Sequence, residues 1–207
     1  MINYAKKTIA LFLCGLITGV SMTATAFAKI KNNIDSKNTD ITSTIDNKSA
    51  TICGKTFKYK DAPKKVKDKH DLNCKSAGVT PSPTDEIFIP SENFDTYGIS
   101  AQAADEMYFV SSKDGYLYVS GSKYYSFNIK TTYVGYTYIR TGNPVHGLQI
   151  LLNLYARKFG GTQIDTDSVF GAETYNTLRS FQSRVGLSVD GIAGPNTWVA
   201  LINRALG

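Results

Sequence analysis

The chain has 207 residues, 42% of them hydrophobic and 19% charged, with a formal net charge of +6. That length suits one medium domain or two small ones, and the composition excludes a disordered acidic tail and a multi-span membrane protein. The positive excess is local: residues 29–80 carry a net +6, residues 81–140 carry −3 and residues 141–207 carry +1.

Residues 1–28 have the three-part pattern of a secretory signal peptide: Lys6 and Lys7, an apolar run from Ile9 to Val20, and small residues ending in Ala26, Phe27 and Ala28. Cleavage is expected after Ala28. The unbroken apolar run is about a dozen residues, short of the roughly 20 needed to span a bilayer, so no stable membrane anchor is expected after cleavage. Cys14 follows Leu13 within the apolar run, not a small residue, which disfavours lipidation. Removal of the signal leaves an even pair, Cys53 and Cys74, in a chain bound for an oxidising setting. A Cys53–Cys74 disulfide is the expected state, closing a loop of about 20 residues for roughly 3 kcal/mol in the chain-entropy view. The competing arrangement, a metal site on Cys53, His70 and Cys74, lacks a fourth ligand and a paired Cys-x-x-Cys. No metal or other cofactor is therefore expected.

From Lys29 to Ala50 the sequence is Asn, Asp, Ser, Thr, Lys and isolated Ile with no helical or strand period. Between the cysteines lie Lys55, Lys58, Lys60, Lys64, Lys65, Lys67 and Lys69. Residues 29–84 thus read as a basic, largely disordered tether. The lysine run is a solubilising loop or a salt-screened patch for anionic wall polymers. Nucleic acid is not an expected partner, because an exported chain seldom meets it and aromatic residues are sparse here.

Val79 to Thr84, with Pro81 and Pro83, reads as a stiff boundary. Beyond it, eight of the thirteen tyrosines fall between Tyr108 and Tyr138 among Val, Ile, Phe and Thr, a strand-like composition. Asp114-Gly115 between Met107–Ser112 and Tyr116–Ser120 is a hairpin signal. Further strands are expected over Tyr124–Lys130 and Thr132–Arg140, making residues 85–140 a small antiparallel β-rich module. Its tyrosines could stack on sugar rings, but an ordinary small core with tyrosine edges reaching water is the preferred reading.

From Thr141 the period becomes helical. Asn143 suits an N-cap and Pro144 a first helical residue, and Val145, Leu148, Leu151, Leu152, Tyr155 and Phe159 form one stripe, ended by Gly160 and Gly161. Thr174, Leu178, Phe181 and Val185 define a second stripe, and Trp198, Leu201, Ile202 and Ala205 a third. Asp167 to Thr174 and Asp190 to Thr197 form an internal repeat offset by 23 residues, each copy leading into a helix. The Asp can accept bonds from turn amides, the apolar third residue can plug the core, and the Gly permits a tight helix entry.

The stretch from Asn143 to Leu201 resembles the peptidoglycan-binding domain of the three-helix type found in bacterial cell-wall hydrolases. The resemblance is carried by Val145, Leu148, Gln149, Leu151 and Leu152, by Asp167 to Thr174 with Phe181 and Gln182, and by Gly186, Leu187, Asp190, Gly191, Ile192, Gly194, Pro195, Thr197, Trp198 and Leu201. Two departures are Ser168 where the family usually has Gly, and an insert from Lys158 to Thr166. The implied architecture is α+β and multidomain, the β-rich module being followed by a three-helix domain over residues 141–207. Peptidoglycan is the implied partner. Leu148, Leu151, Phe181, Trp198 and Leu201 are expected in the core. Candidates for a ligand rim are Asp167, Ser168, Phe170, Gln182, Asp190 and Asn196, whose alternative role is turn formation and capping, with Arg179 and Arg184 placed to meet a stem-peptide carboxylate.

Many proteins with this domain are wall hydrolases, which carry recognisable catalytic groups. The two histidines, His70 and His146, form no His-Glu-x-x-His or comparable zinc cluster, and no motif around the cysteines supports a nucleophile. The acidic residues Asp85, Glu86, Glu92, Asp95, Asp105 and Glu106 read as solvated surface charge, although glycosidases and lytic transglycosylases need only carboxylates. The expectation is an exported, non-catalytic protein, cell-wall-associated or extracellular, that binds peptidoglycan through residues 141–207. The alternative is a wall hydrolase or secreted antibacterial effector with its activity in the middle module.

Overall fold

A computed structural model describes residues 45–207, which all fall within one compact unit. The expected signal peptide and the tether up to residue 44 lie outside the described residues. Five strands form an antiparallel sheet in the order β2-β1-β3-β4-β5: β1 Lys48–Lys58, β2 Glu86–Pro90, β3 Glu106–Lys113, β4 Tyr116–Ser120 and β5 Tyr124–Asn128. Helix α1, Lys64–Ala77, lies between β1 and β2 in the chain, and a helical turn, Phe94–Tyr97, follows β2. Three longer helices follow the sheet: α2 Asn143–Phe159, α3 Ala172–Val185 and α4 Pro195–Ala205.

The stretch from residue 48 to 84 is therefore not a tether. β1 is an inner strand, paired with β2 through Gly54–Lys58 and with β3 through Lys48–Gly54, so ladder bonds on both edges supply what its polar, lysine-bearing composition lacks. In α1 the buried stripe is Val66, His70, Asn73, Cys74 and Ala77, a helical period built largely from polar residues. A hydrophobicity pattern does not register such a stripe. No disulfide joins Cys53 to Cys74. Cys53 stands on β1 opposite Met107, whereas α1 turns the Cys74 sulfur toward His70 at 3.4 Å.

The Asp114-Gly115 hairpin forms, with both residues at positive φ (52° and 77°) as a two-residue turn between twisted strands requires. The strand expected over Thr132–Arg140 does not. Val134 makes only isolated bridges, to Ile139 and to Ala193, because this segment folds back on itself and onto the second repeated turn. The helix at Asn143 begins one residue earlier than the capping pattern suggests, with Gly142 at φ 90° in the cap position.

The sheet and the C-terminal helices share one hydrophobic core, so residues 85–140 do not form a separate module. Ile52, Phe88, Tyr108, Val110, Leu117 and Val119 from the sheet pack with Val145, Leu148, Leu151, Phe181, Trp198 and Leu201 from the helices. The Phe127 ring meets the Trp198 ring edge-on at 5.2 Å, and Trp198 Nε1 donates to the Thr132 carbonyl at 2.9 Å. A second cluster, Ala62, Val66, Ile87, Ile89, Phe94 and Tyr97, joins α1 to β2 and the following turn. Outward-facing Met107, Phe109, Tyr116 and Tyr124 leave aromatic and apolar side chains exposed along the sheet.

The internal repeat is a repeated hydrogen-bond set. In the first copy, Gln149 Nε2 donates to Asp167 Oδ1 (2.7 Å), the Val169 carbonyl (3.1 Å) and Thr174 Oγ1 (3.1 Å), while Gln149 Oε1 accepts from Ser168 N (2.9 Å). In the second, Gln182 Nε2 donates to Asp190 Oδ1 (2.8 Å), the Ile192 carbonyl (3.0 Å) and Thr197 Oγ1 (3.3 Å), while its Oε1 accepts from Gly191 N (2.9 Å). Ser168 takes φ 62° and Gly191 φ 71°, so the serine occupies a left-handed position that glycine fills in the other copy. The copies differ in depth: Asp167 is 3% exposed, and its Oδ2 also takes bonds from α1, whereas Asp190 is exposed. Gln149→Ala is accordingly expected to cost about 3 kcal/mol and Gln182→Ala about 1–2 kcal/mol in denaturant unfolding, because only the first leaves a deeply buried carboxylate short of a donor. Equal losses would contradict this difference.

His146 on α2 is buried beside Tyr108 and Tyr125, and its Nδ1 shares a hydrogen bond of 2.6 Å with Tyr125 Oη. Burial, with a smaller push from Lys123, lowers its pKa from 6.5 to about 3. The unfolded chain therefore binds more protons than the folded one between about pH 3 and 6.5, and the stability this residue contributes above that window is lost as pH falls through it. Asp165, whose carboxyl is raised to about 6 by burial, acts in the opposite sense between about pH 4 and 6, so the test is a difference between variants. His146→Gln retains an acceptor for Tyr125 and cannot take the proton. It should lose less stability than the parent between pH 7 and 5, by up to about 2 kcal/mol at roughly 1.4 kcal/mol per pH unit.

Candidate functional site

Helix α1 is fastened to the start of α3. Ser76 Oγ accepts from Ala172 N at 2.8 Å, satisfying one of the amides that a helix N-terminus leaves open, and Arg140 Nη1 donates to the Ala77 carbonyl at 2.9 Å. A Cβ on Gly171 would lie 2.7 Å from the Asn73 backbone, so only glycine allows this close approach.

Beside this seam lies a groove of about 400 Å³ lined by Lys69 of α1, by Glu92, Asn93, Thr96 and Tyr97 after β2, by Gly161, Thr162 and Gln163 of the loop after α2, and by Glu173 of α3. A neighbouring depression of about 380 Å³ shares Gly161, Thr162 and Glu173 and runs on past Asn176, Ser180 and Arg184. Both are of the size that holds small ligands or short peptide segments.

The groove is built from paired charges. Lys69 Nζ lies 2.8 Å from Glu173 Oε1 and 3.6 Å from Asp165 Oδ1, and Tyr97 Oη donates to both Asp165 oxygens at 2.7 and 2.6 Å. Burial pushes the Asp165 carboxyl up to about 6 against the opposing pull of Lys69 and Tyr97, and it raises Glu173 as well. Lys69 is itself penalised by burial, yet its two carboxylate neighbours outweigh that and hold its pKa above the usual value. The Tyr97 hydroxyl is pushed well up by burial and by Asp165, so it stays a donor. Among the described residues, Gln163 Oε1 and Glu173 Oε2 are buried with no hydrogen-bond partner, two acceptors that an incoming amide or amine could satisfy.

A second polar group sits deeper on the same helix. His70 Nδ1 is 3.2 Å from Asp167 Oδ2, and its Nε2 is 3.0 Å from Asp85 Oδ2 and 3.4 Å from Cys74 Sγ. Burial lowers the His70 pKa and bonds from Asp167 and Asp85 raise it, with a net rise. Burial, then the charges of Asp167 and Asp85, push the Cys74 thiol up to about 12. A thiol 1% exposed and protonated at neutral pH is no nucleophile. The metal arrangement weighed from sequence thus changes membership, as the fold gathers His70 and Cys74 with Asp85 and not with Cys53.

The eight rim candidates are not gathered into one surface. Asp167, Phe170 and Gln182 are buried, the first and last within the repeated turns, and Phe170 meets Tyr136 edge-on. Ser168 is half-buried in the first turn, and Asp190, though exposed, accepts from Gln182 and from Ile192 N. Asn196 is exposed on α4, and Arg179 lies over the Tyr175 ring at 5.5 Å. Of the eight, Arg184 alone lines the groove system, where Nη1 donates to the Gly160 carbonyl at 2.8 Å. Sequence reasoning missed Lys69, Tyr97, Gln163 and Glu173. Lys69 was one lysine among seven, whereas Gln163 lies in the insert that departs from the family pattern, which was the available signal. Three of the six middle carboxylates are tied to Lys or Arg: Asp105 to Lys55 at 2.8 Å, Glu86 to Lys123 at 3.2 Å and Glu92 to Arg157 at 3.8 Å.

Two family models match the chain, each describing a peptidoglycan-binding domain: one covers residues 48–114 and the other residues 141–201. The first model covers a stretch in which no such resemblance was read from the sequence. A crystal structure of a peptidoglycan-binding protein from Clostridioides difficile in complex with glutamine hydroxamate is 31% identical to this chain, with a TM-score of 0.60, covering 73% of this chain and 92% of that one. The groove residues divide between the matched segments, Lys69 and Glu92 to Tyr97 belonging to the first and Gly161 to Gln163 and Glu173 to the second. The chain therefore belongs to the peptidoglycan-binding domain family.

Proposed function

We propose that this is an exported protein that holds peptidoglycan in the groove between its two matched segments and does not cleave it. The observation that carries the reading is the composition of the groove: a Lys69–Glu173 ion pair beside two buried acceptors without partners, with walls from both segments. A peptidoglycan stem peptide presents amides, amines and carboxylates, which are the groups such a lining can pair. The C. difficile relative's complex with glutamine hydroxamate, an amino-acid derivative, favours peptide over glycan as the part held here. Arg184, at the far end of the second depression, would meet a stem-peptide carboxylate.

The absence of cleavage is supported by the state of the reactive groups. The Cys74 thiol is buried and protonated, and the carboxylates of Glu86, Glu92 and Asp105 are engaged with cations. Export rests on the pattern of residues 1–28, and it places the chain at the wall or outside it. The exposed lysines of β1 and α1 would add a salt-screened attraction to anionic wall polymers.

Mature protein, residues 29–207, mixed with purified insoluble peptidoglycan should sediment with it and release no soluble fragments. Lys69→Met and Glu173→Gln should each weaken binding about tenfold or more, and Arg179→Ala less than about twofold, tenfold being about 1.4 kcal/mol. A soluble stem peptide should compete. Release of muropeptides would refute the non-catalytic reading, and unchanged sedimentation by the Lys69 and Glu173 variants would move the binding site elsewhere.

A further inference from the structure

The surroundings of His70 contain an electrostatic mismatch. Asp167 Oδ1 is held by Gln149 Nε2 at 2.7 Å and Val169 N at 3.0 Å, and its Oδ2 takes Asn73 Nδ2 at 2.9 Å, which fixes the carboxylate that His70 Nδ1 faces at 3.2 Å. With Nδ1 donating to Asp167, the neutral imidazole presents a lone pair at Nε2. That lone pair points at a second carboxylate: Asp85 Oδ2, 3.0 Å away and itself fixed by Ser82 N at 2.8 Å. Two acceptors at this distance require a positive centre between them, either a proton or a metal ion. The Cys74 sulfur adds a third ligand atom at 3.4 Å from the same nitrogen, and all three ligand atoms lie within 4.8 Å of one another.

We propose that His70 Nε2, Cys74 Sγ and Asp85 Oδ2 are the ligands of a single zinc ion, with Asp167 orienting the imidazole. Ligand atoms bonded to zinc at about 2.0–2.3 Å and at the tetrahedral angle stand about 3.3–3.6 Å apart; the nitrogen–sulfur and nitrogen–oxygen pairs here stand 3.4 and 3.0 Å apart and the sulfur–oxygen pair within 4.8 Å, so a small movement of the partly exposed Asp85 carboxylate completes the set. One sulfur, one imidazole and one carboxylate suit zinc and not calcium or magnesium, which take oxygen. The carboxylate–histidine–metal relay through Asp167 is the outer-shell arrangement that fixes a ligating imidazole. His70 and Cys74 are buried and the Asp85 side chain is 32% exposed, so the ion would enter from the Asp85 side and hold water in its fourth position there. On binding, the Cys74 thiol proton leaves to solvent and sulfur bonds the metal as thiolate, with any proton shared by His70 and Asp85 leaving likewise. The ion would tie α1 to the turn at Ser82–Asp85 independently of wall binding.

The test uses reduced mature protein stripped with a chelator, with no peptidoglycan present. Zinc titrated against a chromogenic chelator should bind at one equivalent per chain, and cobalt(II) should give a thiolate-to-metal charge-transfer band with the visible absorption of a tetrahedral site. Cys74→Ser should abolish the band, Asp85→Asn should weaken zinc binding about tenfold or more, and Cys53→Ser should leave both unchanged. Should Cys74→Ser fail to fold, the cobalt spectrum of the parent chain decides. Absence of the thiolate band in folded parent protein, or zinc binding that survives Cys74→Ser, overturns the site and leaves a proton as the cation between His70 and Asp85.

Discussion

The carboxylate of Asp167 joins three parts of the molecule that are far apart in the chain. One oxygen takes the side chain of Gln149 from α2 and the amide of Val169 in its own turn, and the other takes Asn73 and His70 from α1. A buried carboxylate without such donors would be costly, so its burial in turn demands that α1, α2 and the turn before α3 sit where they do. The same requirement explains why the inner face of α1 is His, Asn and Cys where an ordinary amphipathic helix would have Leu and Ile. Gly171 and Ser76 complete the fit at the start of α3, one by yielding space and the other by accepting an amide.

The placement of α1 creates the groove. Lys69, one residue before His70, is carried out to Glu173 and Asp165, and the turn after β2 supplies Tyr97 as the donor that Asp165 needs. Neither matched segment could make this lining alone, because Lys69 and Tyr97 come from residues 48–114 while their partners Asp165 and Glu173, with Gln163, come from residues 141–201. The sheet and the helices are also one core, with Phe127 and Leu117 of the sheet against Gly147 and Trp198 of the helices. A change that loosens the sheet should therefore be felt in the groove.

The repeated turns show how far a local pattern can be read. An Asp at the first position, an apolar third residue and a Gly at the helix entry could be read from either copy, whereas the left-handed conformation of the second residue, Ser168 in one copy and Gly191 in the other, came from the structure. Their glutamine partners could not be paired with the turns from spacing, since Gln149 precedes its Asp by 18 residues and Gln182 precedes its Asp by 8. Serving the turn also consumes the polar atoms of Gln182 and much of Asp167, which is why residues prominent in the motif are not prominent on the surface. The strand expected over Thr132–Arg140 illustrates the opposite failure. Its composition is strand-like, but Val134 finds only single partners, Ile139 in its own segment and Ala193 of the second turn, not a neighbouring strand.

By itself the sequence determined the elements whose signals are local: the Asp114-Gly115 hairpin, the helical stripes after residue 141, the repeat, and through these the family resemblance of the C-terminal segment. Each rests on periodicity or on backbone demands that a few adjacent residues satisfy. Only the tertiary structure decided that residues 48–77 are an inner strand and a docked helix, that Cys74 faces His70 and not Cys53, and that Lys69, Tyr97, Gln163 and Glu173 share one groove. Apart from the Cys74–His70 contact within α1, those outcomes depend on pairing between segments distant in the chain, such as β1 with β3 and α1 with Asp167, where ladder bonds, buried carboxylates and a close glycine contact outweigh local composition.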